Sequence, residues 1–464
     1  MPSPRVHLPS AIPGWDALRQ ELGVPGDFPP EVLAEADAAQ PAMPAEDRTD
    51  VPFLTIDPPG STDLDQAMAL STTDDGYQVL YAIADVAAFV RPGGAIDVEA
   101  HSRGETLYAP DKRSPLHPPV LSEDRASLLA DQTRPALVWD LHLDRDGNLT
   151  STRVTRAQVR SRRKLDYPGV QADIEEGVAT PDLLLLKEIG VKRLALARQR
   201  GAVDLPSLEQ EVSADGRLSY RAPLPCEQWN AQISLLTGMA AAQLMLDGKV
   251  GLLRTLPTPP QDAVDSLRRS AMALGISWKQ GEPYGDVLSA LDPGVPANAA
   301  LLTLATRLLR GAGYTAFDGS VPELTTHSAV AAPYAHCTAP LRRLADRYVG
   351  EVCLALCAGT PVPEWVRSAL PRLPEEMAAA DHRAHALDRA VVDLAEAMVM
   401  QHRIGQEFQG VVVEANHKGG TVQLSDPAVR GKLETDDPPL GQSVRVRLVD
   451  ADPEKRSVRF ELAS

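Results

Sequence analysis

Between the apolar run 51–56 and the next one, 67–70, the chain reads Asp57-Pro-Pro-Gly-Ser-Thr-Asp63-Leu-Asp65-Gln66. No other stretch constrains the fold as tightly. Pro58, Pro59 and Gly60 enforce a turn that is neither helix nor central strand. The runs on either side have the length and composition of buried strands. Three carboxylates are crowded into this one turn. Asp63 and Asp65 are two residues apart and share a face of an extended segment, and Asp57 folds back towards them from the far side. Like charges held this close repel one another unless a cation sits among them. Hard oxygen donors of this kind suit magnesium or manganese. The competing reading is a solvated acidic loop, but a solvated loop does not need an apolar strand on both sides.

At 464 residues the chain exceeds a single core, and two to four domains are expected. The apolar fraction of 44% supports a packed globular protein. The sequence holds no uncharged run of membrane-spanning length and does not begin with a basic-then-apolar leader. The expectation is therefore a cytoplasmic protein with no membrane partner. Cys226, Cys337, Cys353 and Cys357 show no zinc spacing, and the last two, one helical turn apart, read as core packing. A net charge of −17 argues, taken alone, against nucleic acid as a partner. Distribution matters more than the sum, however. Six Lys or Arg fall within 153–164, and Arg342, Arg343 and Arg347 form a second group. Either group also reads as an ordinary solvated face.

Along the chain, residues 1–48 read as a small separate unit. It has helices over 15–22 and 30–39 and a Gly-Val-Pro-Gly break between them. A packing hairpin or a helix-turn-helix fits this pattern. Residues 49–402 read as one mixed α+β body. Strands dominate as far as about 155, with Asp146-Gly147-Asn148 as a hairpin turn, and helices dominate thereafter. Residues 403–464 return to strand patterning, with five short strands over 408–414, 421–424, 430–433, 443–450 and 457–461. Five strands in about 60 residues is the pattern of an OB-type barrel, a frequent platform for single-stranded nucleic acid. Phe408 and His417 are its stacking candidates.

Four ordered blocks carry a family resemblance. The turn Thr55-Ile-Asp-Pro-Pro-Gly-Ser-Thr-Asp-Leu-Asp-Gln-Ala67 resembles the acidic signature of the ribonuclease II and R family of 3′→5′ exoribonucleases. Tyr81-Ala-Ile-Ala-Asp-Val-Ala-Ala-Phe-Val-Arg-Pro-Gly93 and Arg103-Gly-Glu-Thr-Leu-Tyr-Ala-Pro-Asp111 are similar to the blocks that follow it. His327-Ser-Ala-Val-Ala-Ala-Pro-Tyr-Ala-His-Cys-Thr-Ala-Pro-Leu-Arg-Arg-Leu-Ala-Asp346 is similar to the C-terminal signature. The resemblance implies an RNB-type catalytic body with an internal channel for single-stranded RNA. It also implies magnesium (or manganese) held by Asp57, Asp63, Asp65 and Gln66, and Arg342 as the catalytic arginine. Tyr108, Tyr167, Leu205, Arg343 and Asp388 are the implied RNA contacts. A threading enzyme of this kind works as a monomer.

The chain departs from the family pattern at several points. Gln66 stands where a further Asp is usual, and Leu205 where an aromatic often faces the first tyrosine. Asn230-Ala-Gln232 replaces a helix segment that commonly carries a Glu for the terminal ribose. Leu344 and Gly350 replace an aromatic and a His or Gln. The N-terminal cold-shock barrels common in bacterial members are replaced by the helical unit. The expected activity is magnesium-dependent hydrolysis of single-stranded RNA from the 3′ end to nucleoside 5′-monophosphates. The alternatives are a catalytically weakened RNA-binding or regulatory protein of the same fold, and a metal-dependent phosphohydrolase of small substrates.

Overall fold

The computed structural model describes residues 15–109, 111–205, 209–212, 218–424 and 426–463. The first fourteen residues of the expected N-terminal unit lie outside that set. The body is built on a six-stranded sheet. Its strands are β1 (Glu46–Asp47), β2 (Phe53–Asp57), β3 (Gln66–Thr73), β4 (Gly76–Ala84), β7 (Thr133–Asp144) and β8 (Leu149–Asp166). A two-stranded hairpin of β5 (Leu107–Tyr108) and β6 (Arg113–Ser114) lies between β4 and β7 in the chain. The sheet order is β1-β8-β2-β3-β4-β7, and β8 also pairs with β7, so the sheet returns on itself. This is possible because β8 is 18 residues long. It runs antiparallel to β7 as far as Arg160, then crosses to lie parallel to β2 from Ser161 to Asp166.

Both faces of the sheet are covered, which is why β4 and β7 read as continuous apolar runs rather than alternating ones. Tyr77, Val79, Tyr81 and Ile83 of β4 face one core, with Trp139 of β7 and Val154 of β8. Their odd or even partners, Ala82 and Ala84, Val138, and Ala157 and Val159, face another. The first core is closed by α5 (Pro181–Gln199), α6 (Pro225–Gly248) and α10 (Leu344–Ala358). The other helices, in chain order, are α1 (Trp15–Glu21), α2 (Pro30–Ala38), α3 (Ala95–Arg103), α4 (Tyr167–Glu175), α7 (Gln261–Ala273), α8 (Tyr284–Ser289), α9 (Pro296–Ala305), α11 (Glu364–Ala369) and α12 (Leu373–Met400). Cys226, Cys337 and Cys353 are buried free thiols, as core packing requires. Gly350 on α10 has a packing reason to be small, since a Cβ there would come within 2.6 Å of Leu137.

The C-terminal strands Glu407–Asn416, Gly419–Leu424, Arg430–Glu434, Ser443–Asp452 and Ser457–Leu462 form a closed five-stranded barrel. Its third and fifth strands run parallel, the OB arrangement. The stacking expectation fails for Phe408, which is half-buried with its ring edge-on to Phe460 at 6.3 Å. His417 is fully in solvent and meets Asp437 at 2.9 Å.

The expectation of a separate N-terminal hairpin or helix-turn-helix is overturned. Trp15 and Leu18 of α1 sit in the core shared by the second half of α12 and the barrel. Arg456 of the barrel fixes that helix by donating to both carboxylate oxygens of Glu21, at 2.9 and 2.7 Å. Val32 and Ala36 of α2 belong instead to the core around Phe53, Ile96 and Leu121. Arg125 Nη1 caps the end of α2 by donating to the carbonyls of Ala36, Asp37 and Ala39. Two helices that bury their apolar faces in different cores are not a hairpin.

The basic cluster at 153–164 is also largely structural. Arg156 bridges buried Asp85 and Glu351, and Arg163 pairs with Asp182. Among the described residues no helix is long and apolar enough to cross a membrane.

Candidate active site

Parallel pairing of β2 with β8 sets Asp57 beside Asp166, so both strands end at one edge of the sheet. The chain after Asp166 turns at once into α4. The Asp166 side chain accepts from the Gly169 amide at 2.8 Å and caps that helix. Tyr167, its first residue, is therefore held next to Asp57. Burial first, and then the charge of Asp57, push the Tyr167 phenol up to about 12. Its hydroxyl accepts from Asn230 Nδ2 on α6 at 3.0 Å. The Asn230 side-chain oxygen is buried and has no hydrogen-bond partner among the described residues.

Asp63 lies under the β5–β6 hairpin. Register pairs Tyr108 with Arg113 there. Arg113 donates to Asp63 Oδ1 at 3.0 Å and to the Thr62 hydroxyl at 3.0 Å, and meets Glu123 at 2.7 Å. The Tyr108 hydroxyl stands 3.5 Å from Asp63 Oδ2, with the residue 37% exposed. One guanidinium thus clamps the hairpin to the carboxylate turn.

Asp65 reaches the C-terminal signature. Its Oδ1 accepts from the Leu341 amide at 2.8 Å and its Oδ2 from Arg342 Nε at 3.1 Å. Burial pushes its carboxyl up to about 7, with Arg342 and the Leu341 amide acting against that rise. Arg342 engages Asp65 through Nε, and its side chain is 41% exposed. The Nη groups form the fork that fits a phosphate.

Buried Asp346 organises the same loop from the other end. It accepts from the Ala339 amide at 2.7 Å and takes Arg343 bidentately, at 2.6 and 3.0 Å. Arg343, expected on RNA, is thus spent largely on holding its own loop.

Two further expectations meet a different geometry. Gln66, expected as a metal ligand, has both ends of its amide engaged. Its oxygen accepts the Tyr81 hydroxyl, and its nitrogen donates to the Thr338 carbonyl at 2.7 Å. Leu205, expected to face a base, is buried at 8% exposure in a satellite core with Leu267, Trp278 and Leu301 of the α7–α9 region. Asp388 lies on α12, near enough to Glu105 that it adds to burial and Asp381 in pushing that carboxyl up to about 7. Sequence reasoning missed Arg113, Asp346 and Tyr81. Tyr81 and Asp346 stand at the ends of two of the quoted signature blocks, whereas Arg113 lies two residues past the block that ends at Asp111.

The donors fit a hard divalent cation in kind. Asp57, Asp63 and Asp65 offer carboxylate oxygen only, and burial of Asp65 is a cost that an adjacent cation offsets. They do not form a ready-made cage. Among the described residues no three His, Cys, Asp or Glu side chains gather as a ligand set. Asp63 is turned to Arg113 and Asp65 to Arg342, so the expected three-way convergence is replaced by two carboxylate–guanidinium pairs.

The RNB domain pattern matches residues 45–357, more than half of the chain. This chain belongs to the RNB family. The RNase II-type exonuclease C-terminal S1 domain matches residues 406–463, the closed barrel. Among curated relatives of this RNB protein, ribonuclease R of Aquifex aeolicus (strain VF5) is 28% identical over 498 residues, covering 96% of this chain and 70% of the relative. The exosome complex exonuclease RRP44 homolog A of Arabidopsis thaliana is 29% identical over 346 residues, 70% of this chain but 36% of that protein. The chain thus spans from about a third to about two-thirds of these relatives' lengths.

Among solved folds, Mycoplasma genitalium RNase R in complex with ribose methylated single-stranded RNA superposes with a TM-score of 0.88. That likeness is at 18% identity over 97% of this chain and 77% of that one. Yeast Ssd1, a pseudonuclease, superposes with a TM-score of 0.71 at 17% identity, over 90% and 54% of the two chains.

Proposed function

We propose that this RNB protein is a magnesium-dependent exoribonuclease that shortens single-stranded RNA from its 3′ end and releases nucleoside 5′-monophosphates. It acts as a monomer, with the strand threaded through a channel to the carboxylate turn. The observation that carries this reading is the contact of Asp65 with Leu341 and Arg342, 276 and 277 residues away in the chain. It joins an acidic turn to a guanidinium that engages it through Nε, which suits the Nη fork to a phosphate.

Chain residues account for most of the chemistry. The Arg342 Nη groups meet the non-bridging oxygens of the scissile phosphate and stabilise the charge that grows on them. The half-exposed Tyr108 ring offers a face to a base, a contact worth about 1–3 kcal/mol and indifferent to base identity. The orphan Asn230 oxygen is an acceptor suited to a ribose hydroxyl, with Tyr167 holding the amide in place. A divalent ion at Asp57, Asp63 and Asp65, when bound, supplies an activated water and charge stabilisation at the leaving oxygen. Water adds to phosphorus and the P–O3′ bond breaks, leaving the phosphate on the 5′ carbon of the released nucleotide. Contacts to 2′-hydroxyls favour RNA over DNA.

A second reading has its own support. Arg113 already neutralises Asp63, and Gln66 supplies no charge, which suits an RNA-binding protein with weakened catalysis. One experiment separates the two. A 5′-labelled poly(A) strand is incubated with the full chain and magnesium, with and without Asp65→Asn. A ladder from the 3′ end that yields 5′-AMP with Asp65 alone supports the nuclease. Retention of the strand without shortening supports the binding protein.

A further inference from the structure

We infer that Gln66 is a positioning residue for Arg342 and contributes no oxygen to the divalent ion. This inference rests on the nuclease reading and deepens it. The residue opens β3, and sheet register pairs it with Ile83 while Tyr81 pairs with Met68. Gln66 and Tyr81 are therefore diagonal neighbours on one face of the sheet, within reach of long side chains. Tyr81 is fully buried in the first core, so its hydroxyl needs a partner, and the Gln66 amide oxygen is that partner.

The other end of the amide leaves the sheet. Nε2 donates to the Thr338 carbonyl, four residues before Arg342, at 2.7 Å. The Thr338 hydroxyl shares a hydrogen bond with Ser234 on α6 at 2.7 Å. Ser234 stands one helical turn after Asn230, which holds Tyr167. A continuous chain of bonds thus runs from β4 through Gln66 and the signature loop to the helix that carries the Tyr167 contact.

The direction of each bond decides the residue type. The side chain at 66 must accept from a phenol at one end and donate to a carbonyl at the other. Gln does both. A carboxylate accepts only, and would set its oxygen against the Thr338 carbonyl. Asp65 and Gln66 are adjacent and grip the same loop at two points, Asp65 at residues 341 and 342 and Gln66 at residue 338. Fixing a loop at two points five or fewer residues apart leaves the guanidinium between the turn and α6 little freedom to move. The amide also spares the turn a fourth negative charge.

The test uses the full chain with Gln66→Met, Gln66→Asp and Tyr81→Phe. Gln66→Met keeps the length and removes both bonds, and Tyr81→Phe removes one bond should Gln66→Met fail to fold. Three quantities are read: amide hydrogen exchange of residues 338–342, Mn2+ affinity by titration of the free ion, and kcat and KM on a single-stranded oligonucleotide. The inference expects faster exchange in 338–342 for each variant and, for Gln66→Met and Tyr81→Phe, Mn2+ affinity within about twofold of the parent. It also expects kcat lower by about 10–100-fold for Gln66→Met with KM little changed, the scale of effect that a small misplacement of a catalytic group has. Unchanged exchange in 338–342 overturns it. So does a fivefold or larger loss of Mn2+ affinity in Gln66→Met, since that marks a ligand position. A parent chain that never shortens RNA overturns the nuclease reading instead, and the exchange and Mn2+ measurements still judge Gln66.

Discussion

Arg113 Nη1 donates to Asp63 Oδ1 across 3.0 Å, so one of the three acids of the turn already carries a cation of the protein's own. The same guanidinium meets Glu123 at 2.7 Å. A divalent ion at the turn therefore competes with a neighbour that has somewhere else to go. Arg113→Gln is expected to tighten Mn2+ binding by about two- to fivefold, the scale of a partly exposed ion pair. It is also expected to weaken RNA binding, because the hairpin bearing Tyr108 loses its clamp. Titration of Mn2+ and a filter-binding assay read the two effects separately. Equal metal affinity in parent and variant would show that Arg113 and the ion do not share Asp63.

Arg342 is expected to act in the transition state. Arg342→Ala should lower kcat by about 100–1,000-fold with a small change in KM, the cost typical of losing one preorganised charge-stabilising group. Arg342→Lys should recover little of it. An ammonium can replace the Nε contact with Asp65 or reach the phosphate, but a single point charge does not do both. Steady-state kinetics on a poly(A) oligomer decide it.

Gly238 on α6 marks a close approach of helix to signature. A Cβ there would fall 2.2 Å from the Tyr334 ring and 2.5 Å from the Ala335 carbonyl. Gly238→Ala should force residues 334–335 away and destabilise the fold by about 1–3 kcal/mol. Residues 334–335 belong to the same signature segment as Arg342, so activity should fall as well, at temperatures where the variant is still folded. Urea denaturation gives the first number and single-turnover rates the second.

Two buried histidines should cost the fold stability as pH falls, and two carboxyls raised by burial should oppose them. His117 is buried, and burial first, then Arg347, hold its pKa down at about 3; His327 is held at about 4, mainly by burial. Unfolded histidine titrates near 6.5. Between 6.5 and those values the unfolded chain binds protons that the folded chain refuses, so stability falls as pH falls. The slope is at most about 1.4 kcal/mol per pH unit for each histidine. Glu105 and Asp65, each raised to about 7 by burial, work in the opposite sense, since their folded forms hold a proton that the unfolded forms release above about 4. Denaturation midpoints read at pH 7, 6 and 5 should fall less, relative to pH 7, in His117→Gln than in the parent. An identical decline in that variant would assign the acid sensitivity elsewhere.

Local pattern carried the turn and the barrel. Two strands braced by Pro-Pro-Gly, and five strands punctuated by Gly and Pro, declare themselves through period and turn chemistry, and their bounds agree with the structure to within a few residues. Side-chain partnership was not legible in the same way. Whether the amide of Gln66 faces an ion or Thr338 depends on a contact 272 residues away in the chain. The resemblance makes Leu205 an RNA contact because of its place in the sequence, but the helices over 261–305 give an aliphatic side chain a core to join. The continuation of β8 past Val154 was hidden because its apolar residues alternate between two cores and its arginines pair with acids on other elements. Helices α1 and α2 are adjacent in sequence, and nothing in their spacing reveals that they settle in different cores.

The seat of Trp15 has a temporal consequence. Apart from Leu18 and Leu107, the buried residues of that core come from 387–460, far along the chain from Trp15. The helix 15–21 has seven residues, too few to persist alone in water, and its binding surface does not exist until the barrel has closed. The helix 15–21 therefore settles only after residues 387–460 have folded, late in the assembly of the described structure.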